Sequence, residues 1–191
     1  AETFAARAIS AARDLDVSSD NIDMQLVSTL TSVDWLSVDL VIENVIEDLA
    51  VKQSIFRQIV SLANEHAIIT SNSSTFGISL IASGLSQQTR FFGLHFFMPA
   101  HLVPLVGIVM SESSELQIAN ELKQYLSARD FVPVIVRKDV PGFLANRIQA
   151  ALIREVWHIL EREIATPEDV DKAVMYGCHV CGRGTRVLEY H

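Results

Sequence analysis

The sequence predicts an α/β fold, a parallel sheet covered by helices on both faces, followed by the start of an all-helical segment. Apolar runs of strand length alternate with amphipathic helical segments as far as about residue 140, which is the order that a helix-covered sheet requires. Beyond Pro141-Gly142 no strand pattern remains until the tail. Hydrophobic residues make up 49% of the 191 residues and charged residues 20%, so the chain can bury a core.

The first third of the chain predicts two helices and three strands. Residues 3–15 are rich in Ala and carry apolar side chains on one face, which predicts a helix, and the apolar run at residues 24–30 predicts a short strand. Residues 38–43 form a near-continuous apolar run, typical of a strand buried on both faces of a parallel sheet. A helix over residues 48–65 and a strand over residues 67–70 follow. The apolar stripe predicted for that helix is Val51, Ile55, Ile59 and Leu62.

The same alternation continues to residue 136. A short helix is predicted around residues 78–82, and strands are predicted over residues 91–97, 105–110 and 131–136. Residues 115–126 predict an amphipathic helix between the last two of these strands. The apolar positions of this helix are Leu116, Ala119, Leu122 and Leu126.

Helices dominate after the Pro141-Gly142 pair. Residues 143–163 predict one long helix. Thr166 is a helix cap, with Pro167 at the first helical position and an acid three residues after the cap. We therefore divide the chain into residues 1–140, the sheet domain, and residues 141–191, the start of a helical domain.

Charge and composition exclude several classes of protein. The net charge of −8 argues against a nucleic-acid partner, because phosphate binding needs clustered Lys and Arg. We expect no membrane association, since no apolar run could span a bilayer and no signal peptide opens the chain. With only two cysteines, a cytoplasmic protein is expected. The chain does not begin with Met, so we expect that it starts within a longer reading frame or was processed.

Two polar groups interrupt the predicted sheet. Ser71-Asn72-Ser73-Ser74 follows a buried strand, where ligands bind in open α/β sheets, although Ser and Asn also suit a turn or a helix cap. His95 lies within an apolar strand. It could act as a general base near neutral pH, or be a core histidine that binds a backbone carbonyl.

Two further groups have alternative interpretations. Asn146 begins the long helix after the Pro-Gly turn, where its amide could reach a substrate or simply be solvated. Cys178-His179-Val180-Cys181, with His191 beyond, could be half a zinc site or a redox pair. A second ligand pair at zinc-finger spacing is missing, so no metal is predicted.

Four motifs in order resemble the 3-hydroxyacyl-CoA dehydrogenase family, which includes gulonate and carnitine dehydrogenases and a crystallin. The resemblance covers about residues 38–176. Residues 39–52 are similar to the family's cofactor-bordering strand and helix, and Ser71–Ser74 resembles its S-N-[ST]-S motif. Gly93–Pro99 resembles G-x-H-F-F-N-P, and Lys138–Arg147 resembles the hinge K-D-x-P-G-F-x-x-N-R.

The resemblance implies a fold, an activity and a set of site residues. It implies a partial Rossmann-like, doubly wound sheet that lacks its first βαβ unit, and oxidation of a 3-hydroxyacyl-CoA or related 3-hydroxy acid by hydride transfer to NAD, as in fatty acid metabolism. It further implies a homodimer in the full-length protein. The implied catalytic residues are His95 as the base, Ser74 and Asn146. The implied cofactor-binding residues are Glu47, Lys52, Asn72 and Asn44.

The sequence departs from the family pattern in three places. No G-x-G-x-x-G turn is present, although this turn normally holds the dinucleotide diphosphate. Gly107 stands where the family motif P-L-V-E has a Glu that orients the histidine, and the tail after Gly177 diverges. We therefore expect a chain truncated at both ends and weak or inactive by itself. A catalytically impaired, crystallin-like binding protein remains the alternative.

Overall fold

The computed structural model describes residues 25–178, which form a five-stranded sheet with helices on both faces. The strands are β1 (Leu40–Glu43), β2 (Ile68–Ser71), β3 (Phe91–Phe96), β4 (Leu105–Met110) and β5 (Val132–Val136). They lie side by side in chain order, and every neighbouring pair is parallel except β3 and β4. The antiparallel pair was not predicted. Its cause is the connection over residues 97–104, which is shorter than the roughly twelve residues that a parallel crossover needs.

The helices follow the strands closely. They are α1 (Leu49–Leu62), α2 (Ile78–Ile81), α3 (Leu116–Ser127), α4 (Ala145–Glu161) and α5 (Pro167–Lys172), and a π-helical turn covers Ala173–Cys178. The Asp48 carboxylate caps α1 by accepting a hydrogen bond from the Val51 amide, and Thr166 caps α5 with Pro167 in its first turn. Capping satisfies amides that have no partner inside the helix.

Two apolar layers lie on opposite faces of the sheet. Phe91 of β3 packs with α1 and α2, whereas Phe92 and Leu94 of the same strand pack with α3. Because successive side chains of a strand point to opposite faces, both faces of β3 are covered. The doubly wound arrangement that the sequence predicted is therefore confirmed.

The strand predicted over residues 24–30 is wrong for its described part. Residues 25–29 have no regular structure, and a 3-10 helix covers Leu30–Ser32. The Thr29 hydroxyl bonds to the hydroxyls of Thr31 and Ser32, and the Trp35 indole donates to the Leu30 carbonyl. Such local hydrogen bonds compete with a strand ladder. The helix predicted over residues 3–15 lies outside the described residues.

The inward face of α1 differs from the stripe that the sequence predicted. The buried residues of the helix are Lys52, Phe56 and Ile59, whereas Val51 and Ile55 are only half-buried. Phe56 fixes this orientation, since its ring meets the Phe91 ring edge to face at 6.1 Å between centroids. Compared with the predicted orientation, α1 is turned about its axis so that Lys52 lies in the interior, where its charge requires partners.

Helix α4 carries an apolar face that the described part of the chain leaves uncovered. Ile148 and Leu152 are exposed on it, and no residue of this helix is buried by residues 25–178. The long helix predicted from the sequence is confirmed, while the division of the chain at residue 141 stays a prediction. None of the helices within residues 25–178 combines the length and the hydropathy needed to cross a membrane.

Candidate active site

The polar residues singled out in the sequence lie at one edge of the sheet. Strands β1, β2 and β3 are parallel, so their carboxyl ends meet there. This edge receives Asn44 and Glu47 after β1, the Ser71–Ser74 turn after β2, and His95 near the end of β3. In open α/β sheets this is the edge where ligands bind.

Ser74 and His95 are in direct contact. The Ser74 Oγ lies 3.0 Å from the His95 Nε2, a hydrogen-bond distance. The imidazole is buried at 5% exposure, and its ring centroid lies 4.5 Å from that of Phe97 and 5.4 Å from that of Phe143. Ser74 is exposed. A ligand that enters from solvent therefore meets the serine hydroxyl with the imidazole nitrogen directly behind it.

Asn72 ties the three strand ends together. Its Nδ2 donates to the Asn44 Oδ1 at 2.7 Å, and its Oδ1 accepts from the Phe96 amide at 2.9 Å. The amide thus spans from the end of β1 to the end of β3, next to His95. The structure gives this predicted cofactor residue a role in fixing the strand ends relative to one another.

A buried ion pair lies below the same edge. The Lys52 Nζ lies 3.0 Å from the Glu43 Oε1, and both side chains are 1% exposed. Lys52 also lies 3.2 Å from the Glu47 Oε2 and donates to the Val45 carbonyl. The Ser71 Oγ donates to the second oxygen of Glu43 at 2.6 Å. Protein acceptors therefore enclose the Lys52 ammonium, whereas Glu47, with a side chain 39% exposed, reaches solvent.

Sequence reasoning gave Glu43 no role and named Ser71 only as part of the Ser71–Ser74 turn, although a signal was present. Lys52, Phe56 and Ile59 share helical spacing, so a lysine fell on an apolar face. A buried ammonium needs a carboxylate partner, and Glu43 is the acid that ends the apolar run of β1.

Asn146 does not join the Ser74–His95 pair directly. It lies half-buried in the first turn of α4, and no hydrogen bond among the described residues links it to either side chain. The hinge reaches His95 instead through Phe143, which is 5% exposed and has a backbone φ of 48°. This aromatic contact was not predicted.

Asp139 fastens the hinge to the segment after Ser74. Its Oδ2 accepts hydrogen bonds from the Ser79 amide at 2.8 Å and the Ser79 hydroxyl at 2.6 Å. A Cβ at Gly77 would lie 2.4 Å from the Asp139 Oδ1, so only a glycine leaves the carboxylate in this position. Sequence reasoning included Asp139 in the hinge motif but gave it no role.

Gly107 lies directly opposite His95. The two residues are partners in the antiparallel β3–β4 pair, and a Cβ built at Gly107 would lie 3.6 Å from the His95 Cβ. That is ordinary van der Waals contact. The backbone therefore leaves room for a Cβ beside His95, although the sequence supplies none.

Burial sets the charge state of His95. It lowers the pKa of the imidazole from its usual 6.5, and the negative charge of Glu47 partly opposes this shift. The ring is thus neutral at pH 7, the state in which it can accept a proton. Burial would raise the pKa of Glu47, but hydrogen bonds from Ser73 and Lys52 and the charge of Lys52 bring it below its usual value, so this carboxylate is ionised.

Stability should depend on pH through His95. Between the lowered pKa of the folded protein and 6.5, the unfolded chain binds more protons than the folded one, so the free energy of unfolding falls as the pH decreases. We expect the wild type to lose stability relative to His95→Gln between about pH 7.5 and about pH 5. Urea unfolding at several pH values measures the difference. A difference that stays constant, or that favours the wild type at low pH, would contradict the assignment.

The sheet, with polar side chains at the carboxyl ends of its parallel strands, is of the kind on which α/β proteins bind dinucleotides. The family model for the 3-hydroxyacyl-CoA dehydrogenase NAD binding domain matches residues 3–140. The model for the C-terminal domain of the same enzymes matches residues 142–181. The chain therefore belongs to the 3-hydroxyacyl-CoA dehydrogenase family, which confirms the resemblance carried by the four motifs.

Individual relatives agree with the family models. The chain is 34% identical over 139 residues to a 5-formyl-3-hydroxy-2-methylpyridine 4-carboxylate 5-dehydrogenase of Mesorhizobium japonicum, covering 73% of this chain and 45% of that protein. It is 34% identical over 170 residues to human mitochondrial hydroxyacyl-coenzyme A dehydrogenase, covering 87% and 54%. The structure of a 3-hydroxyacyl-CoA dehydrogenase from Archaeoglobus fulgidus superimposes with a TM-score of 0.68 at 29% identity, covering 87% of this chain and 56% of that one. The chain spans about half the length of the curated relatives it matches.

The family assignment gives NAD as the cofactor, and the described residues fit one end of it. The Asn44 and Asn72 amides and the partly exposed Glu47 carboxylate offer donors and acceptors suited to a ribose and a nicotinamide amide. The glycine-rich turn that would hold the diphosphate is not encoded in the 191 residues.

The cysteine motif of the tail falls largely outside the described residues. Cys181 and His191 lie beyond residue 178. Within residues 25–178 no cluster of three or more His, Cys, Asp or Glu side chains could hold a metal ion.

Proposed function

We propose that this chain is the part of an NAD-dependent oxidoreductase of the 3-hydroxyacyl-CoA dehydrogenase type that carries the catalytic side chains at the edge of the sheet. It oxidises the hydroxyl of a 3-hydroxyacyl-CoA or a related 3-hydroxy acid to a ketone, with His95 as the base. The observation that carries the proposal is the 3.0 Å contact between the exposed Ser74 hydroxyl and the buried, neutral His95 imidazole at the ligand-binding edge.

Each residue of the site has its own part in the proposed reaction. Asn44, Glu47 and Asn72 would hold NAD at this edge, and the bound cofactor would supply the hydride acceptor for the substrate carbon. His95 takes the hydroxyl proton at Nε2, because hydride leaves readily only when this proton leaves with it. Ser74 donates a hydrogen bond to the same oxygen, and Asn146, which contacts neither side chain in the structure, binds the substrate from the hinge once the substrate is in place. Phe97 and Phe143, packed on the imidazole, exclude water from its faces.

NADH binding provides the test of the cofactor assignment. We expect saturable quenching or transfer of fluorescence when the chain is titrated with NADH, and weaker binding by Asn72→Ala, which frees the three strand ends. Asn120→Ala, an exposed change on α3, is the matched control and should bind as the wild type does. An absence of saturable binding, or equal weakening by both variants, would contradict a cofactor site at Asn44, Glu47 and Asn72.

The same proposal extends to the partners, the oligomeric state and the location of the whole protein. Its partner is a small molecule, an acyl-CoA or a 3-hydroxy acid, and neither a nucleic acid nor a membrane. The full-length protein forms a homodimer, which rests on the family resemblance alone, and acts in the cytoplasm, which the low cysteine count of the chain favours. We further propose that residues 1–140 bind the cofactor and that residues 141–191 open the domain for substrate binding and dimerisation.

One observation favours a second candidate function. Gly107 leaves His95 without a carboxylate from the neighbouring strand, and such a carboxylate normally orients a catalytic imidazole and stabilises its charged form. A crystallin-like binding protein, or an inactive fragment, would tolerate this loss. Replacement of Gly107, treated in the Discussion, separates the two candidates.

A further inference from the structure

The two residues that flank Ser74 are both held by one carboxylate. The Glu47 Oε1 accepts hydrogen bonds from the Ser73 hydroxyl and from the Thr75 amide, the latter at 3.1 Å. The Ser73 hydroxyl in turn accepts from the Thr75 and Phe76 amides at 3.2 and 2.8 Å. Ser74, which lies between these anchored residues, has little freedom to move away from His95.

Glu47 is itself fixed from below. Its Oε2 lies 3.2 Å from the Lys52 Nζ, and that ammonium is held 3.0 Å from the buried Glu43. The carboxylate therefore rests on an ion pair anchored between β1 and α1. A group held in this way can impose its position on a loop, because its own side-chain freedom is already lost.

Glu47 also provides the negative charge that acts on His95. Its field favours the protonated imidazole against the effect of burial. Strand β4 supplies no charge at the neighbouring position, since Gly107 is the partner of His95 there. At the opposite edge of the sheet, Glu112 follows β4 and is exposed, so it cannot replace this charge at short range.

We propose that Glu47 is a positioning residue for the Ser74–His95 pair, and that its carboxylate supplies the charge support that Gly107 cannot. The positioning of Ser74 stands on the hydrogen bonds alone. The support of a protonated His95 during turnover rests on the proposed function.

Nuclear magnetic resonance can test both the positioning of Ser74 and the charge support of His95 without cofactor or substrate. The titration of the His95 ring is followed in the wild type, Glu47→Gln and Glu47→Ala, and His95→Gln assigns its signal among the six histidines. Glu47→Gln keeps an acceptor for Ser73 and Thr75 but removes the charge. We expect it to shift the pKa of His95 downward, because the opposing charge is lost, while the Ser74 and Thr75 amide signals stay close to those of the wild type.

Glu47→Ala removes the charge and the acceptor together. We expect the same downward shift of the His95 pKa, together with large changes in the Ser74 and Thr75 amide signals. Glu112→Gln, the matched control at the opposite edge, should leave all of these signals unchanged. An unchanged His95 titration in Glu47→Gln would overturn the charge support, and unchanged amides in a folded Glu47→Ala would overturn the positioning. The resonance experiment contains no NADH. The effects of the Glu47 variants on the His95 pKa and on the amide signals can therefore be measured even if the NADH titration detects no binding.

Discussion

Replacement of Lys52 by methionine is expected to lower the free energy of unfolding by about 3–5 kcal/mol, the usual cost of removing one partner of a buried ion pair. Methionine fills much of the same volume, so the loss comes from the carboxylate left behind. Glu43, with a side chain 1% exposed, would keep only its hydrogen bonds from the Ser71 hydroxyl and the Val45 amide. Chemical denaturation of the wild type and the variant measures the difference.

An exposed ion pair provides the control for this prediction. Lys172 lies 3.7 Å from Asp169, with both side chains more than half exposed, so Lys172→Met should change stability by about 1 kcal/mol or less. The double variant Glu43→Leu/Lys52→Met should cost less than the sum of the two single changes, because no unpaired charge remains between them. Equal, small losses for Lys52→Met and Lys172→Met would show that the ammonium reaches water despite its burial.

The sequence predicted the sheet and much of the site because local patterns determine both. Apolar runs and helical spacing located all five described strands, and the motifs around Ser74 and His95 identified two side chains that the structure places 3.0 Å apart. Parallel strands deliver their carboxyl ends to one edge, so residues that follow strands gather there without further information.

Tertiary geometry accounts for what the sequence did not predict. The direction of β4 depends on the length of a connection rather than on the composition of the strand. The inward turn of Lys52 depends on how Phe56 meets Phe91 across the layer. The contact of Phe143 with His95 requires a positive φ after the Pro-Gly turn, and no apolar periodicity encodes that backbone conformation.

Replacement of Gly107 by glutamate is expected to raise turnover by about 10²–10⁴-fold if the chain descends from an active dehydrogenase. A Cβ at this position meets the His95 Cβ at an unstrained 3.6 Å, so the backbone accepts the first atom of the side chain. The new carboxylate would orient the imidazole and raise the pKa of His95 by favouring its charged form. NAD-dependent oxidation of 3-hydroxybutyryl-CoA by the full-length protein, followed as NADH absorbance, measures the gain.

Matched variants separate charge from shape in this experiment. Gly107→Gln adds nearly the same volume without the charge, so it should recover little of the gain, and His95→Gln in the Gly107→Glu background should abolish it. If neither Gly107 variant gains activity while NADH still binds, the site holds a nucleotide without performing hydride transfer, and the binding alternative is supported. A gain confined to glutamate and dependent on His95 would mean that the Ser74–His95 pair has kept a catalytic geometry, and that a carboxylate at position 107 adds to the charge that Glu47 supplies.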